Sequence, residues 1–423
     1  MTLIKTSLLN AIAVAIRMLS MLGINKILAL YLGPSGYAAI GQFQNAIQII
    51  NVFASGALNT GVTKYTAEYR MRLERQILVW RTAGTFAIAT SLISGFIVIL
   101  FSNQLASFFL KDESLGSVFI WFSIVLPLFV VNALILAILN GKKEVRLYVC
   151  ANICGSFFAL LITSIMVIYL GLYGALAGLA IYQGLNFFVS FTLIYRCKWF
   201  QINYLFGVID WKVMRDLSKY AAMALTSAIC IPTSHIFVRN YLGENIGWDA
   251  AGYWEAMWRL SLAYLMFVTT TLGVYYLPRL AELDQSSEIK KEILQGYKII
   301  LPIAILLGVG LYVLRDFVIL FLFTSEFNEV EALFAWQIVG DTLKIGSWIL
   351  AYLVLSKAMT KIFIATEVFC SVSFILIATQ AIDRFGLEGV VIAHALNYLL
   401  YWFVMAWVVM RFLKRNGKSE PLT

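Results

Sequence analysis

The chain has 423 residues, of which 61% are hydrophobic and 13% charged, with a formal net charge of +9. A mean hydropathy of +0.84 excludes a soluble globular domain and marks a membrane protein. The basic surplus is spread over loops between apolar runs, which excludes nucleic-acid binding as its purpose.

A helix needs about 20 mostly apolar residues to cross the hydrocarbon. Runs of that length predict twelve transmembrane helices, at 8–32, 38–63, 79–101, 117–139, 147–170, 174–195, 216–240, 250–277, 294–315, 330–356, 361–381 and 388–410. The expected fold class is therefore all-α and polytopic, without a soluble domain. The first run contains Arg17 and Lys26 and no cleavage motif follows it, so it reads as a spanning helix rather than a signal peptide. The loops on one side carry Lys64, Arg70, Arg72, Arg75 and Arg81, then Lys142, Lys143 and Arg146, then Arg196, Lys198, Lys212, Arg215 and Lys219. With the later loops and both termini, twenty-four basic residues lie on that side, against Lys111, Arg239, Arg315 and Arg384 on the other. By the positive-inside rule both termini are expected in the cytoplasm. The five cysteines show no CxxC spacing and indicate no disulfide framework.

The chain echoes itself at half its length. "YLGPSGYAAIGQFQNAIQI" from Tyr31 matches "YLGENIGWDAAGYWEAMWRL" from Tyr241, which pairs Gly41 with Gly252, Gln44 with Glu255 and Gln48 with Arg259 at an offset of 211. "ASFFLKDE" from Ala106 matches "ILFLFTSE" from Ile319 at 213, and "GLYG" at Gly171 matches "GLEG" at Gly386 at 215. Six helices per half give a parallel repeat, with expected lobes 1–205 and 206–423 about a central cavity. The long basic-side connection from Arg196 to Asp216 is expected to let the lobes rock.

Charges inside spanning helices are costly, about 2.5–3.5 kcal/mol at the helix centre on insertion scales, so each asks for a partner or a wet cavity. Here they are Arg17, Lys26, Glu255, Arg259, Asp341, Lys344 and Glu367, with Arg239 and His235 near the end of the seventh helix. Glu255 with Arg259 and Asp341 with Lys344 have the spacing of self-neutralising helical pairs. Five cations against three acids still leave a positive excess, which suits an anionic ligand. Gln44 and Gln48, within an amide-rich stretch, suit hydroxyl-bearing ligands or polar helix packing. There is no HExxH, no phosphate-binding GxxxxGK[ST] and no pair of carboxylates spaced for acid–base work, so no metal, cofactor or enzyme is expected.

The stretches "LNTGVTKYTAEY", "YYLPRLAEL" and "VLRDFVILFLFTSEF", followed by "ALFAWQIVGDTLKIGSWILAYLVLSKA", resemble the Wzx-type flippases of lipid-linked oligosaccharides. These lie within the multidrug/oligosaccharidyl-lipid/polysaccharide exporter superfamily. The resemblance implies two lobes of six helices with a cationic lumen, placed in the bacterial inner membrane. It also implies an undecaprenyl-diphosphate-linked oligosaccharide substrate, of the O-antigen or enterobacterial common antigen kind, and a glycan polymerase and chain-length machinery as partners. It carries substrate-binding roles onto Arg259 and Lys344, with Lys26 and Arg239 beside them. It leaves Glu255, Asp341 and Glu367 as candidates for charge pairing or ion coupling. An ion-coupled exporter of drugs or small molecules, or an intramembrane glycan polymerase or ligase, are the alternative readings.

Overall fold

A computed structural model describes residues 3–417, and every regular element among them is helical. The fourteen α-helices are α1 (Leu3–Ser55), α2 (Asn59–Glu68), α3 (Leu73–Leu100), α4 (Ser102–Leu110), α5 (Gly116–Gly141), α6 (Val145–Tyr195), α7 (Trp211–Asn245), α8 (Trp248–Thr271), α9 (Leu277–Glu282), α10 (Ser286–Val313), α11 (Arg315–Leu322), α12 (Phe334–Ser356), α13 (Thr360–Phe385) and α14 (Glu388–Gly417). Ten helical stretches are long and apolar enough to cross a membrane. Two of them, in α1 and α6, hold two crossings each. The 53 residues of α1 and the 51 of α6 would reach about 75–80 Å at 1.5 Å per residue, far beyond one bilayer. Each is broken once by a glycine of positive φ: Gly33 (φ 63°, ψ −175°), followed by Pro34, which lacks an N–H to donate, and Gly171 (φ 54°, ψ −135°). The twelve expected crossings are thereby accommodated.

Two boundaries differ from expectation. The second crossing stops at Ser55, because Gly56 (φ 60°) and Ala57 (φ 54°) turn the chain before α2 begins. The short helices α4 and α11 follow α3 and α10 after sharp bends at Phe101 and Leu314, where apolar composition had suggested only the ends of long spans.

The chain forms two compact units, one of residues 1–32 with 39–232, the other of 33–38 with 233–423. The first unit has a core of Val79, Trp80, Leu134, Ile138 and Leu139 with Leu205 and Leu217. The second has a core of Leu272, Tyr276, Ile289, Ile345, Ile349 and Leu353. The seam falls at Pro232 within α7, whereas the sequence suggested 205/206. The reason is local: Leu217, in the first turns of α7, is fully buried against Gly61 of the first unit.

Nor is the connection before α7 a free linker. Leu205 is buried, and its carbonyl approaches Gly84 of α3 so closely that a Cβ there would overlap it. Thr85 Oγ1 donates to the Gly207 carbonyl at 3.0 Å and accepts from the Gly207 N–H at 3.0 Å, while Asp210 N–H donates to Thr82 Oγ1 at 3.2 Å. Asp210 then caps α7, its Oδ1 accepting from the N–H groups of Lys212 and Val213 at 2.9 and 3.0 Å.

Duplication is visible in the backbone. The helices α3 and α10 both have 28 residues and start 213 positions apart. The turn after α5 places Lys143 at φ 60°, and the turn after α12 places Ala358, 215 positions on, at φ 49°. Gly171 is matched by Gly386 (φ 61°, ψ −137°) at the same offset. Gly174 lies against the Met166 carbonyl and Gly389 against the Ala381 carbonyl, again 215 apart, each so close that a Cβ would collide. The "GLYG" and "GLEG" turns are one hairpin built twice.

Candidate functional site

Five of the charges foreseen within or near the ends of spanning helices, Arg239, Glu255, Arg259, Asp341 and Lys344, are buried in the second unit. Arg239 on α7 and Arg259 on α8 both grip Glu255 of α8: Arg239 Nη2 donates to Oε2 at 2.5 Å and Arg259 Nε to Oε1 at 2.7 Å. All three are buried. The expected pair of Glu255 with Arg259 is present, but Arg239, which sequence spacing left without an anion, shares the same carboxylate. Each guanidinium also lies over an aromatic face, Arg239 over Trp254 at 5.3 Å and Arg259 over Tyr37 at 5.6 Å.

Tyr37 reaches that position through the Gly33–Pro34 break. Residues 33–38 belong to this unit, where Tyr37 packs edge-on to Phe327 at 5.2 Å and Phe323 at 6.1 Å. Gly252, one turn before Glu255, faces the Pro34 carbonyl with no room for a Cβ, so α8 rests directly on the broken segment.

A second constellation lies on α12. Asp341, with no exposed surface, is bonded from three helices. Ser261 and Tyr264 of α8 donate their hydroxyls to Oδ2 at 2.5 and 2.8 Å, and Gln337 Nε2 donates to Oδ1 at 3.2 Å. His394 Nε2 of α14 sits 3.1 Å from Oδ1. Gly340 makes this possible, because any side chain there would strike the His394 ring.

The expected pairing of Asp341 with Lys344 is not formed. Lys344, 3% exposed, has no carboxylate within ion-pair reach among the described residues. Its ammonium is caged by three rings instead, with centroids of Trp258 at 4.4 Å, Trp348 at 5.0 Å and Tyr398 at 5.6 Å. Helical i,i+3 spacing permitted the pair, but donors from α8 and α14 occupy the carboxylate and the lysine turns to the aromatic side. The buried cations Arg239, Arg259 and Lys344 outnumber the buried carboxylates Glu255 and Asp341 by one formal charge.

The remaining candidates stand elsewhere. Glu367 on α13 is half-buried in the same unit. In the first unit Lys26 and Gln44 are half-buried, whereas Gln48 and Arg17 are exposed. Several participants were not foreseen as site residues: Tyr37, Trp258, Ser261, Tyr264, Gln337, Trp348, His394 and Tyr398. The one sequence hint was Gly340 beside Asp341, a small residue where a helix must come close. His394 acts as a helix–helix hydrogen-bond partner, the ordinary role of an intramembrane histidine. Among the described residues no cluster of His, Cys, Asp and Glu could hold a metal ion.

Comparison with known proteins places this geometry in a class. Residues 3–284 match the family described as "Polysaccharide biosynthesis protein", two thirds of the chain, and the protein belongs to that family. The "Lipid III flippase" of Escherichia coli (strain K12) is 28% identical over 415 residues, covering 98% of this chain and 100% of that protein, and the protein of the same name from Shigella flexneri matches equally. A Shigella flexneri protein named "Putative O-antigen transporter" is 24% identical over 97% of this chain and 98% of its own length. Among solved structures, an inward-facing multidrug resistance MATE family transporter of the MOP superfamily superimposes with a TM-score of 0.77 at 16% identity, over 95% of this chain and 96% of that one. The fold is the exporter fold of that superfamily, and the comparisons point to a transporter rather than an enzyme.

Proposed function

We propose that this protein is a flippase that moves an undecaprenyl-diphosphate-linked oligosaccharide repeat unit from the cytoplasmic to the periplasmic leaflet of the bacterial inner membrane by alternating access. In this reading both termini are cytoplasmic and no covalent bond is made or broken. The observation that carries it is the end-to-end similarity to proteins named lipid III flippase. The relative named for O-antigen transport supports the same substrate class with a different glycan.

The charge arrangement suits a lipid diphosphate. Arg259 and Arg239 share one carboxylate, so an arriving diphosphate would compete with Glu255 for a pair of guanidinium groups able to grip phosphate oxygens through parallel charge-assisted hydrogen bonds. Lys344 contributes a further positive charge, held among aromatic rings rather than in an ion pair. Lys26, Gln44 and Gln48 are assigned to the substrate's path in the first unit, and Glu367 remains the candidate for ion coupling, since the donors around Asp341 keep that carboxylate occupied.

Deleting the protein should make an undecaprenyl-diphosphate oligosaccharide accumulate in the cytoplasmic leaflet, with loss of the corresponding surface glycan, and purified protein in vesicles should restore its movement. Unchanged lipid-linked glycan together with lost resistance to a small cationic drug would favour the multidrug exporter reading instead.

A further inference from the structure

The connection between the sixth and seventh crossings has two faces with opposite chemistry. Its inner face is fixed to α3 by Leu205, Gly207 and Asp210, as described above. Its outer face leaves Val208 and Trp211 84% and 75% exposed and Ile202 and Phe206 close to half exposed. A chain that hydrogen-bonds its backbone inward while turning Val208, Trp211 and part of Ile202 and Phe206 outward presents an apolar face that suits an apolar medium outside.

The level at which it is pinned gives the medium. The anchoring residues Thr82, Gly84 and Thr85 directly follow Arg81, the last charge on α3. Residues 82–100 are an uncharged run of 19, about 28 Å of helix, close to the thickness of the hydrocarbon. The strap therefore lies where the hydrocarbon begins. Lys198, Lys212 and Arg215, all exposed, flank the apolar residues at the side of the membrane that carries the other basic loops. Apolar and aromatic side chains with lysine and arginine beside them are the composition of interfacial segments on anionic lipid.

We infer that residues 201–211 form an interfacial strap seated in the headgroup–acyl boundary of the basic-side leaflet, with Phe206, Val208 and Trp211 among acyl chains and Lys198, Lys212 and Arg215 on anionic headgroups. The strap holds the first turns of α7 at a fixed depth, since Asp210 joins it to that helix without a spacer. This inference rests on the chain spanning a membrane and is independent of what is transported.

The test uses full-length protein with its five native cysteines replaced by serine, carrying Val208→Cys or Met71→Cys labelled with an environment-sensitive NBD probe. Met71, 93% exposed, precedes Arg81 by ten residues and reports the aqueous side. In vesicles of mixed phosphatidylcholine and phosphatidylglycerol, a nitroxide at a shallow acyl position should quench the Val208 probe at least about twofold more than the Met71 probe, with aqueous iodide giving the reverse order. The combined variant Lys198→Gln, Lys212→Gln and Arg215→Gln should lose the extra protection that phosphatidylglycerol confers over phosphatidylcholine alone. Equal iodide quenching at Val208 and Met71 would overturn the strap. Equal protection in pure phosphatidylcholine would overturn the anionic assignment. Protection found in native membranes but absent from vesicles would assign the surface to a protein partner, and overturn the proposal.

Discussion

The stretch around Gly41 and the stretch around Gly252 echo one another 211 residues apart, yet one carries amides and the other charge. Gln44 is half-buried and Gln48 exposed, while their counterparts Glu255 and Arg259 are buried and locked together with Arg239. A duplicated helix can thus keep its backbone and change its solvent. An amide tolerates a half-wet face, whereas a carboxylate taken out of water needs cations placed around it. The same divergence appears at the matched turns. Lys142 lies over Trp199 at 4.7 Å and donates to Gln76 at 3.0 Å, whereas Lys357, 215 positions on, donates to the Leu283 carbonyl and pairs with Asp284 at 3.3 Å. Burial between rings lowers the Lys142 ammonium below its ordinary pKa. Backbone geometry was retained by both copies, and side-chain chemistry was free to separate.

The largest effect is expected at Glu255. Truncation to Ala leaves Arg239 and Arg259 buried without their shared carboxylate, and breaking a buried pair in this way costs about 3–5 kcal/mol. Thermal unfolding of the detergent-solubilised variant should show a large fall in midpoint. Gln44→Ala, at the equivalent position, should lose no more than about 1 kcal/mol, the scale of one net hydrogen bond. A Gln44 variant as unstable as the Glu255 variant would remove the distinction between the two copies.

The hairpin glycines sharpen the comparison in the opposite sense, because here the halves should agree. Gly174→Val and Gly389→Val each push a side chain into a carbonyl of the preceding helix, and overpacking of this kind costs about 1–3 kcal/mol. The two losses should match within error. A second pair of equal effects is expected from Gly171→Ala and Gly386→Ala. Neither position has a neighbour nearer than Ile246 at 4.0 Å, so the cost is that of a backbone at positive φ with ψ −135° and −137°, which only glycine adopts readily, about 1–3 kcal/mol. Unequal losses at either pair would break the structural equivalence of the hairpins.

Much of this architecture could be read from the residues. Apolar runs marked the crossings, loop charge suggested the sidedness, and the "GLYG" and "GLEG" turns revealed the repeat because a glycine held at positive φ leaves a durable trace in sequence. The site was legible only where partners lie one helical turn apart, as Glu255 and Arg259 do. Arg239 reaches Glu255 across a hairpin, and Asp341 takes its donors from Ser261, Tyr264 and His394, which are 80, 77 and 53 positions away. Periodicity along one helix says nothing about which neighbour is nearer, so it offered Lys344 as the partner of Asp341 when helix packing had already filled that carboxylate.

Lys344 supplies the smallest expected change in stability and the sharpest separation of folding from function. Its ammonium has lost its water and gained three aromatic faces, worth about 2 kcal/mol when desolvated. The desolvation penalty for a buried cation is several kcal/mol and opposes that gain. Lys344→Met keeps an unbranched apolar stem against Trp258, Trp348 and Tyr398 while removing the charge. The unfolding midpoint should therefore move by no more than about 1 kcal/mol in either direction, in contrast with Glu255→Ala. Transport should nevertheless fall, because the cluster's excess positive charge is gone, and lipid-linked glycan should accumulate in cells that express the variant at normal level. A well-folded Lys344→Met protein with full transport would show that the caged lysine serves packing only. A large loss of stability would show that the rings and the ammonium hold the helices together, and that the balance between cation–π attraction and desolvation at this site runs the other way.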